Sequence, residues 1–342
     1  MIEQRLRAIL GLRLGLIWGL IWGLLGLLLL TACAVRYPAP RAKPGYPIVT
    51  NGYFALSPQR RLPYRDWRPA GPPRVVVLAL HGFDDSRDAW VTVGPRLARH
   101  GVLLIAPDQR GFGAAPGRGF WPSTATLLSE ARQMIAILHQ RYPHTPLTLM
   151  GESMGAAETL MIGASGDRAV SSYVLISPAV WGGRAMAPPT RWAAALGGAV
   201  APGVRLTGRQ AHILASDNIA ALIRLSHDPL TILQTRLASV AGIVRLMGRA
   251  QAACGRFAPA HALVMYSGHD QLIPKSAMAR CWQAMPMDPG VVLADYPADY
   301  HLMVLDHQRA VPIGDILSFI LHPNRPIPSS APTEAVIFMA EH

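Results

Sequence analysis

The feature that most constrains this chain is a Gly-Glu-Ser-Met-Gly motif centred on Ser153. It follows a short apolar run, residues 147–150, and precedes an apolar segment with helical character, residues 156–163. A serine between a strand and a helix, with glycines two residues before and after it, is typical of a nucleophile elbow. A side chain at Gly151 or Gly155 would collide with the backbone of so tight a turn. The motif therefore predicts an exposed Ser153 hydroxyl at a strand end, although a chance match remains open from the motif alone.

The later part of the chain supplies two groups that could activate this serine. A predicted strand at 262–266 is followed by a loop containing Asp270, and a predicted strand at 291–293 is followed by a loop containing His301. Imidazole can remove a serine proton near neutral pH, and a carboxylate on its other nitrogen fixes the tautomer. The chain order Ser, Asp, His also fits the elbow. We therefore predict Ser153, Asp270 and His301 as catalytic residues.

Other late histidines and carboxylates compete for these roles. His307 lies in a polar, helix-like stretch, and His322 stands beside a proline. The competing carboxylates lie in a turn or too few residues before His301; they are Asp288, Asp295 and Asp299. Asp270 itself could be an ordinary turn residue, because Ser-Gly-x-Asp is a turn-like composition.

A third element would bind the negative charge that develops on the substrate oxygen. The apolar strand 74–80 ends in His-Gly-Phe-Asp-Asp, residues 81–85. An oxyanion hole at such an elbow uses one backbone N–H from this loop and one from the residue after the serine. These are the N–H groups of Phe83 and Met154. His81 is interpreted as a residue that shapes the loop rather than as a second base.

These motifs together resemble α/β-hydrolases of the monoacylglycerol lipase and lysophospholipase type. A Pro-Asp-Gln-Arg-Gly-Phe-Gly loop at 107–113 is similar to one found across that superfamily, where Asp108 and Arg110 would be structural. The resemblance covers residues 51–322 and implies a serine ester hydrolase with neither a metal nor an organic cofactor. The chain departs from the pattern at Asp84 and Asp85 and in its N-terminal extension.

The order of predicted elements indicates an α/β fold, with a mostly parallel central sheet, helices on both faces and a helical cap insertion. Within the cap, Asp228 is predicted to begin a helix whose apolar face runs to Met247. The predicted segments are a signal peptide at 1–32, a proline-rich tether at 33–50, the first part of the core at 51–179, the cap at 180–255, the second part of the core at 256–322 and a disordered tail at 323–342.

The N-terminus resembles a bacterial lipoprotein signal. Three arginines within residues 1–13 precede an uninterrupted run of Leu, Ile, Trp and Gly from Leu14 to Leu30, and a Leu-Thr-Ala-Cys sequence then ends at Cys33. This arrangement predicts lipidation of Cys33 and a protein anchored in the bacterial cell envelope, facing the periplasm from the outer membrane. An uncleaved signal anchor in the inner membrane is the alternative.

The remaining cysteines and the charge bear on compartment and partners. An exported protein can form a disulfide, so Cys254 and Cys281 are a possible pair, but both could equally be small buried apolar residues. The formal net charge is +12, with only Lys43 and Lys275 as lysines. The arginines are scattered and accompany no nucleic-acid motif, so we predict no nucleic-acid partner, whereas the basic surface favours an anionic membrane.

The sequence predicts a serine carboxylic-ester hydrolase acting on a small-molecule acyl ester such as monoacylglycerol or lysophospholipid. An acyltransferase with the same triad, or a peptidase or other hydrolase of the superfamily, remains an alternative. A non-catalytic envelope lipoprotein that binds a partner through this fold is a further one. The sequence gives no indication of oligomeric state.

Overall fold

The computed structural model describes residues 48–50, 52–208 and 213–342. The predicted signal peptide, Cys33 and nearly all of the predicted tether lie outside these residues. The strands within them are β1 (Ile48–Thr50), β2 (Tyr53–Ser57), β3 (Arg60–Trp67), β4 (Val75–Leu80), β5 (Val102–Pro107), β6 (Leu147–Glu152), β7 (Ser172–Ile176), β8 (Arg205–Thr207), β9 (Gln234–Arg236), β10 (Ala262–Ser267) and β11 (Val291–Tyr296).

Most of these strands form one sheet. In the described part of the chain it has nine strands, in the order β1-β2-β3-β5-β4-β6-β7-β10-β11. The six strands from β5 to β11 in this order are parallel to one another, whereas β1, β2 and β3 form antiparallel pairs at one edge, the last of them between β3 and β5. In β4 at the centre, Leu78 pairs with both Ile105 and Leu149. The predicted α/β fold with a mostly parallel sheet is confirmed.

Helices cover both faces of this sheet. The α-helices of the described residues are α1 (Val93–Ala98), α2 (Thr124–Arg141), α3 (Met154–Gly163), α4 (Pro188–Val200), α5 (Ile219–His227), α6 (Leu237–Ala253), α7 (Lys275–Ala284), α8 (Ala310–Leu321) and α9 (Ala331–Glu341). Alternate residues of β4 enter opposite cores, because successive strand side chains point to opposite faces. Leu78 packs in the core that contains Leu160 of α3, and Val77 packs in the core that contains Phe319 of α8.

The insertion between β7 and β10 contains α4, α5, α6 and a two-stranded antiparallel ribbon of β8 and β9. The prediction that a helix begins at Asp228 is wrong, because Asp228 instead follows His227, the last residue of α5. β9 and its pairing with β8 intervene before α6 begins at Leu237. The insertion is therefore not entirely helical. Cross-strand pairing has overridden the apolar spacing that favoured one long helix.

The C-terminal tail is also ordered into structure rather than disordered. Residues 331–341 form α9, which packs on β11 and α7. Phe338 is buried, with its ring centroid 5.2 Å from that of Trp282 and 5.4 Å from that of Tyr266. The proline- and serine-containing residues before the helix form only the connection. The prediction of a disordered tail is therefore corrected.

Two further features concern the predicted envelope location. Cys254 and Cys281 form a disulfide, which joins the end of the cap to α7. Both cysteines are also fully buried, so the two interpretations made from the sequence are compatible. Within the described ranges, no helix combines the length and the apolar character needed to cross a bilayer.

Candidate active site

The elbow at Ser153 has the strained backbone that its motif predicts. Ser153 lies between β6 and α3 with φ +52° and ψ −110°, a conformation that L-residues rarely adopt. A Cβ atom on Gly151 would overlap the backbone of Gly155, and one on Gly155 would overlap the carbonyl group of Leu80. The two glycines therefore allow α3 to approach β6 and β4 closely enough to hold this turn. Strain of this kind is concentrated at functional sites.

Asp270 and His301 form a buried hydrogen-bonded pair. His301 Nδ1 lies 2.7 Å from Asp270 Oδ2, and both side chains are almost completely excluded from solvent. The other carboxylate oxygen, Oδ1, accepts backbone N–H groups from Leu272 and Ile273, both at 2.8 Å. These two bonds fix the carboxylate, and the carboxylate in turn directs the Nδ1 proton and leaves Nε2 as the nitrogen able to accept a proton.

The topology brings this pair and Ser153 to one edge of the sheet. Ser153 follows β6, Asp270 follows β10 and His301 follows β11, and these parallel strands all end at the same side. Ser153 is partly exposed, and the described structure contains no hydrogen bond from its hydroxyl to His301. Catalytic hydrogen bonds are commonly long without substrate and tighten when substrate binds.

The expected oxyanion donors are available in this arrangement. Met154 is the first residue of α3, where a backbone N–H has no partner within the helix. Among the described residues, the N–H groups of Phe83 and Met154 donate to no protein acceptor. A Cβ atom on Gly82 would lie 3.5 Å from Ser153 Cβ, so the oxyanion loop is in direct contact with the elbow. A substrate oxygen held between these loops could accept both N–H groups.

His81 uses both of its ring nitrogens to hold the loop. Nε2 accepts the backbone N–H of Gln109 at 3.0 Å, and Nδ1 lies 2.7 Å from the carbonyl oxygen of Gly82. Burial lowers the pKa of His81, which favours the neutral ring that these bonds require. His81 is therefore a structural residue, as the sequence indicated, and offers no free nitrogen for proton transfer.

The Pro-Asp-Gln-Arg-Gly loop is likewise structural. Asp108 is fully buried and accepts hydrogen bonds from the backbone N–H and guanidinium of Arg87 and from the N–H of Ala114. Arg110 donates to Glu130 at 2.8 Å within the core. These contacts position the segment after β5 beside the oxyanion loop.

The competing residues are placed elsewhere. His307 and His322 are exposed, and Asp288 accepts the N–H of Gly290 within a turn. Asp295 and Asp299 are buried without a hydrogen bond to His301, and burial raises their pKa values to about 6 and about 7, respectively. The structure thus brings Asp270 to His301 and leaves the other candidates aside.

Sequence reasoning missed a direct link between the oxyanion loop and the cap. Asp84, next to Phe83, has φ +60° and accepts a short hydrogen bond from the hydroxyl of Thr235 on β9. Its carbonyl oxygen also accepts the N–H of Ile232 at 2.8 Å. Burial raises the pKa of Asp84 to about 6. The sequence offered one signal, because Asp84 departs from the pattern of the α/β-hydrolases that the chain resembles. Its partner Thr235, however, lies 151 residues away in the sequence.

This geometry agrees with the comparison with known protein families. Residues 71–308 match the family described as serine aminopeptidase, S33, and this segment is more than half of the chain. The chain belongs to the serine aminopeptidase S33 family. The matched segment contains the elbow at Ser153, the oxyanion loop, Asp270 and His301.

Relatives of this S33-family hydrolase are named as lipases. The chain is similar to a monoacylglycerol lipase of Mycolicibacterium smegmatis, with 26% identity over 76% of this chain and 93% of that protein. It is 28% identical to monoglyceride lipase of Mus musculus over 34% of this chain and 39% of that enzyme. Its fold is similar to that of Paleococcus ferrophilus monoacylglycerol lipase, with a TM-score of 0.66, 19% identity and coverage of 77% and 99% of the two chains.

The fold is also similar to that of a soluble variant of monoglyceride lipase from Saccharomyces cerevisiae, with a TM-score of 0.66, 18% identity and coverage of 86% and 99%. These structural similarities concern the fold. Together with the family match, they confirm that this S33-family member is an α/β-hydrolase enzyme of the monoacylglycerol lipase-like kind.

Proposed function

We propose that this chain is a serine carboxylic-ester hydrolase for single-chain acyl esters such as monoacylglycerol or lysophospholipid. The observation that carries the proposal is the Asp270–His301 hydrogen bond of 2.7 Å at the sheet edge where the strained elbow presents Ser153. Asp270 would orient His301, and His301 would act as the base for Ser153.

The reaction would proceed in two steps through an acyl-enzyme. Ser153 Oγ attacks the ester carbonyl carbon while His301 Nε2 takes its proton, and the oxyanion accepts the N–H groups of Phe83 and Met154. His301 then gives the proton to the leaving alcohol as the ester bond breaks. Water attacks the acyl-enzyme by the same route, which releases the fatty acid and restores Ser153.

The residues where the cap meets the oxyanion loop favour a substrate whose largest part is an apolar acyl chain. The aromatic rings of Phe83, Phe112 and Trp121 pack on one another beside the oxyanion loop. Gly242 of α6 lies directly against Trp121, so the cap closes on this aromatic group. Apolar walls of this type exclude water and bind alkyl chains. The lipase names of the relatives favour the same substrate class.

The test is hydrolysis by the full chain in non-ionic detergent. We expect cleavage of both a short-chain nitrophenyl ester and a long-chain monoacylglycerol, and loss of both activities in Ser153→Ala. Cleavage of an aminoacyl nitroanilide with refusal of both esters would contradict the proposal and favour a peptidase. Added glycerol would reveal an acyltransferase, because acylated glycerol would then replace free fatty acid as the main product.

We also propose that Cys33 is lipidated and anchors the enzyme in a bacterial envelope membrane. The support is the arginine-containing start, the apolar run and the Leu-Thr-Ala-Cys sequence. In a bacterial host, radioactive palmitate should label the chain and should fail to label Cys33→Ser. Labelling that persists in Cys33→Ser would contradict lipidation at this residue, and an uncleaved N-terminus would favour the signal anchor.

A further inference from the structure

Three arginines converge on a cavity of about 470 Å³ between the cap and the loop after β5. Arg118 comes from the loop after β5, Arg205 from β8 and Arg236 from the end of β9. We call this cavity the arginine pocket. Its wall also includes Thr231, Gln234 and the exposed side chain of Leu233. The pocket therefore combines positive charge and hydrogen-bonding groups with an apolar surface.

The arrangement of these arginines is unfavourable without an anion. Arg205 and Arg236 are directly opposite each other in the antiparallel β8–β9 pair. Like charges at directly opposed positions destabilise such a pair. Within the described ranges, none of the three arginines forms an ion pair with a carboxylate. Within those ranges the fold therefore brings three positive charges to one cavity without pairing any of them with a carboxylate.

Arg236 is held in a fixed position with an unused donor. Its guanidinium lies over the ring of Phe120, 4.2 Å from the centroid. Its Nε is buried and has no hydrogen-bond partner. A buried donor without an acceptor costs stability, and the fold bears this cost to keep Arg236 in place. Arg118 is also held, because its Nη2 donates to the carbonyl oxygen of Thr231 at 3.0 Å.

The carboxylate of Asp84, which contacts the same ribbon, does not pair with these arginines. Asp84 contacts Thr235, whose side chain points to the opposite face of β9 from those of Gln234 and Arg236. The carbonyl oxygen of Asp84 accepts the N–H of Ile232, which also lines the arginine pocket. Through Asp84 the pocket is therefore joined to Phe83, the residue that would bind the oxyanion.

We propose that the arginine pocket binds the phosphate group of a single-chain phospholipid substrate, while the acyl ester lies at Ser153. Guanidinium groups bind phosphate oxygens with paired, charge-assisted hydrogen bonds, and three of them suit a phosphate that carries more than one negative charge. This inference rests on the proposed function, because it names the head group of the same ester substrate. A lysophosphatidate-type ester is therefore preferred over a neutral monoacylglycerol.

The decisive substrates differ only in the phosphate. The full chain in non-ionic micelles at low salt is assayed on 1-acylglycerol 3-phosphate and on 1-acylglycerol with the same acyl chain. We expect the phosphate ester to have a kcat/KM at least about tenfold higher. Arg205→Gln and Arg236→Gln should each lower this ratio by about tenfold, which corresponds to about 1.4 kcal/mol. Arg205 is exposed, so its replacement leaves folding intact even if Arg236→Gln does not fold.

The matched control is Arg224→Gln, which removes an exposed arginine of the cap helix α5 outside the pocket and should leave the ratio unchanged. Equal rates on the two esters, or a ratio that Arg205→Gln and Arg236→Gln leave unaltered, would overturn the inference while the proposed function stands. Hydrolysis of neither ester by the wild-type chain would instead contradict the proposed function.

A binding measurement tests the pocket independently of turnover. Calorimetry on Ser153→Ala should detect sn-glycerol 3-phosphate but not glycerol, and Arg205→Gln should abolish the signal. Inorganic phosphate in the same cell distinguishes a free anion from a lipid head group. If it binds as tightly as glycerol 3-phosphate and the two lipid esters are cleaved equally, the substrate assignment is overturned. Absence of binding by both phosphates would overturn the anion site itself.

Discussion

Replacing Asp270 by asparagine tests the proposed triad most sharply. The carboxylate holds two backbone N–H groups through Oδ1 and His301 through Oδ2. An asparagine has only one acceptor oxygen. If that oxygen remains with the N–H groups of Leu272 and Ile273, the amide NH₂ must face His301 Nδ1. Nδ1 then becomes an acceptor, and the ring proton moves to Nε2.

This tautomer cannot act as a base towards Ser153, because Nε2 already carries a proton. Loss of the correct tautomer in a Ser-His-Asp triad lowers kcat by about 10⁴-fold, or about 5.4 kcal/mol of transition-state stabilisation. We therefore expect Asp270→Asn to retain about one ten-thousandth of the wild-type kcat on a short-chain nitrophenyl ester. The side chain keeps its size and its two backbone bonds, so the melting temperature should change little.

Asp288→Asn is the matched control. Asp288 accepts the backbone N–H of Gly290 within a turn. It does not contact His301. The same substitution there should leave kcat within about twofold of the wild-type value, as expected for a residue remote from the site. If a folded Asp270→Asn variant kept a tenth or more of the activity, Asp270 would not be the group that orients His301.

Three further predictions concern stability and the elbow. Gly155→Ala should abolish esterase activity and lower the melting temperature, because the added Cβ would lie only 2.1 Å from the carbonyl oxygen of Leu80. Wild-type activity and melting temperature in this variant would refute the prediction. Phe338→Ala should lower the free energy of unfolding in urea by about 3–5 kcal/mol, whereas Val336→Ala, at an exposed position of α9, should cost less than about 0.5 kcal/mol. Folding raises the pKa of Asp85 from 3.8 to about 7 through burial, so this group's stabilising contribution is fully present below about pH 4 and is lost as the pH rises through 7. Asp85→Asn should therefore gain stability relative to the wild type between pH 4 and 8, by up to about 4 kcal/mol at 1.36 kcal/mol per pKa unit, and urea unfolding that shows a constant difference across this range would contradict the effect.

Several features of the fold could be predicted because their information is local. Apolar runs such as Val75–Leu80 and Ala262–Ser267 predict buried strands, since parallel strands are covered on both faces. The glycines around Ser153 predict the elbow because a Cβ atom at either position would overlap the backbone that packs against this turn. The loops after two late strands predicted the neighbourhood of Asp270 and His301, because parallel strands end at a common edge.

Other features depend on partners that are distant in the sequence. The spacing of apolar residues from Asp228 to Met247 favoured one helix. Instead, this segment begins with a turn and a strand, which are stabilised by the hydrogen bond from Ile232 N–H to the Asp84 carbonyl oxygen and by the pairing of β9 with β8. The tail was expected to be disordered, yet a hydrophobic surface around Trp282 and Tyr266 stabilises α9. Short segments gain their stability from tertiary packing more than from intrinsic propensity, so the sequence of each segment alone was insufficient.

The sequence by itself thus indicated the parallel sheet, the elbow at Ser153 and the pairing of Asp270 with His301. Strand periodicity and turn chemistry act over a few residues, and the chain order of the three residues is visible in the sequence itself. Only the tertiary structure decided that Arg118, Arg205 and Arg236 face one cavity and that Asp84 joins the oxyanion loop to the cap. Scattered arginines have no periodicity to reveal their convergence. Their meeting depends on the pairing of two three-residue strands, whose formation depends on the rest of the folded cap.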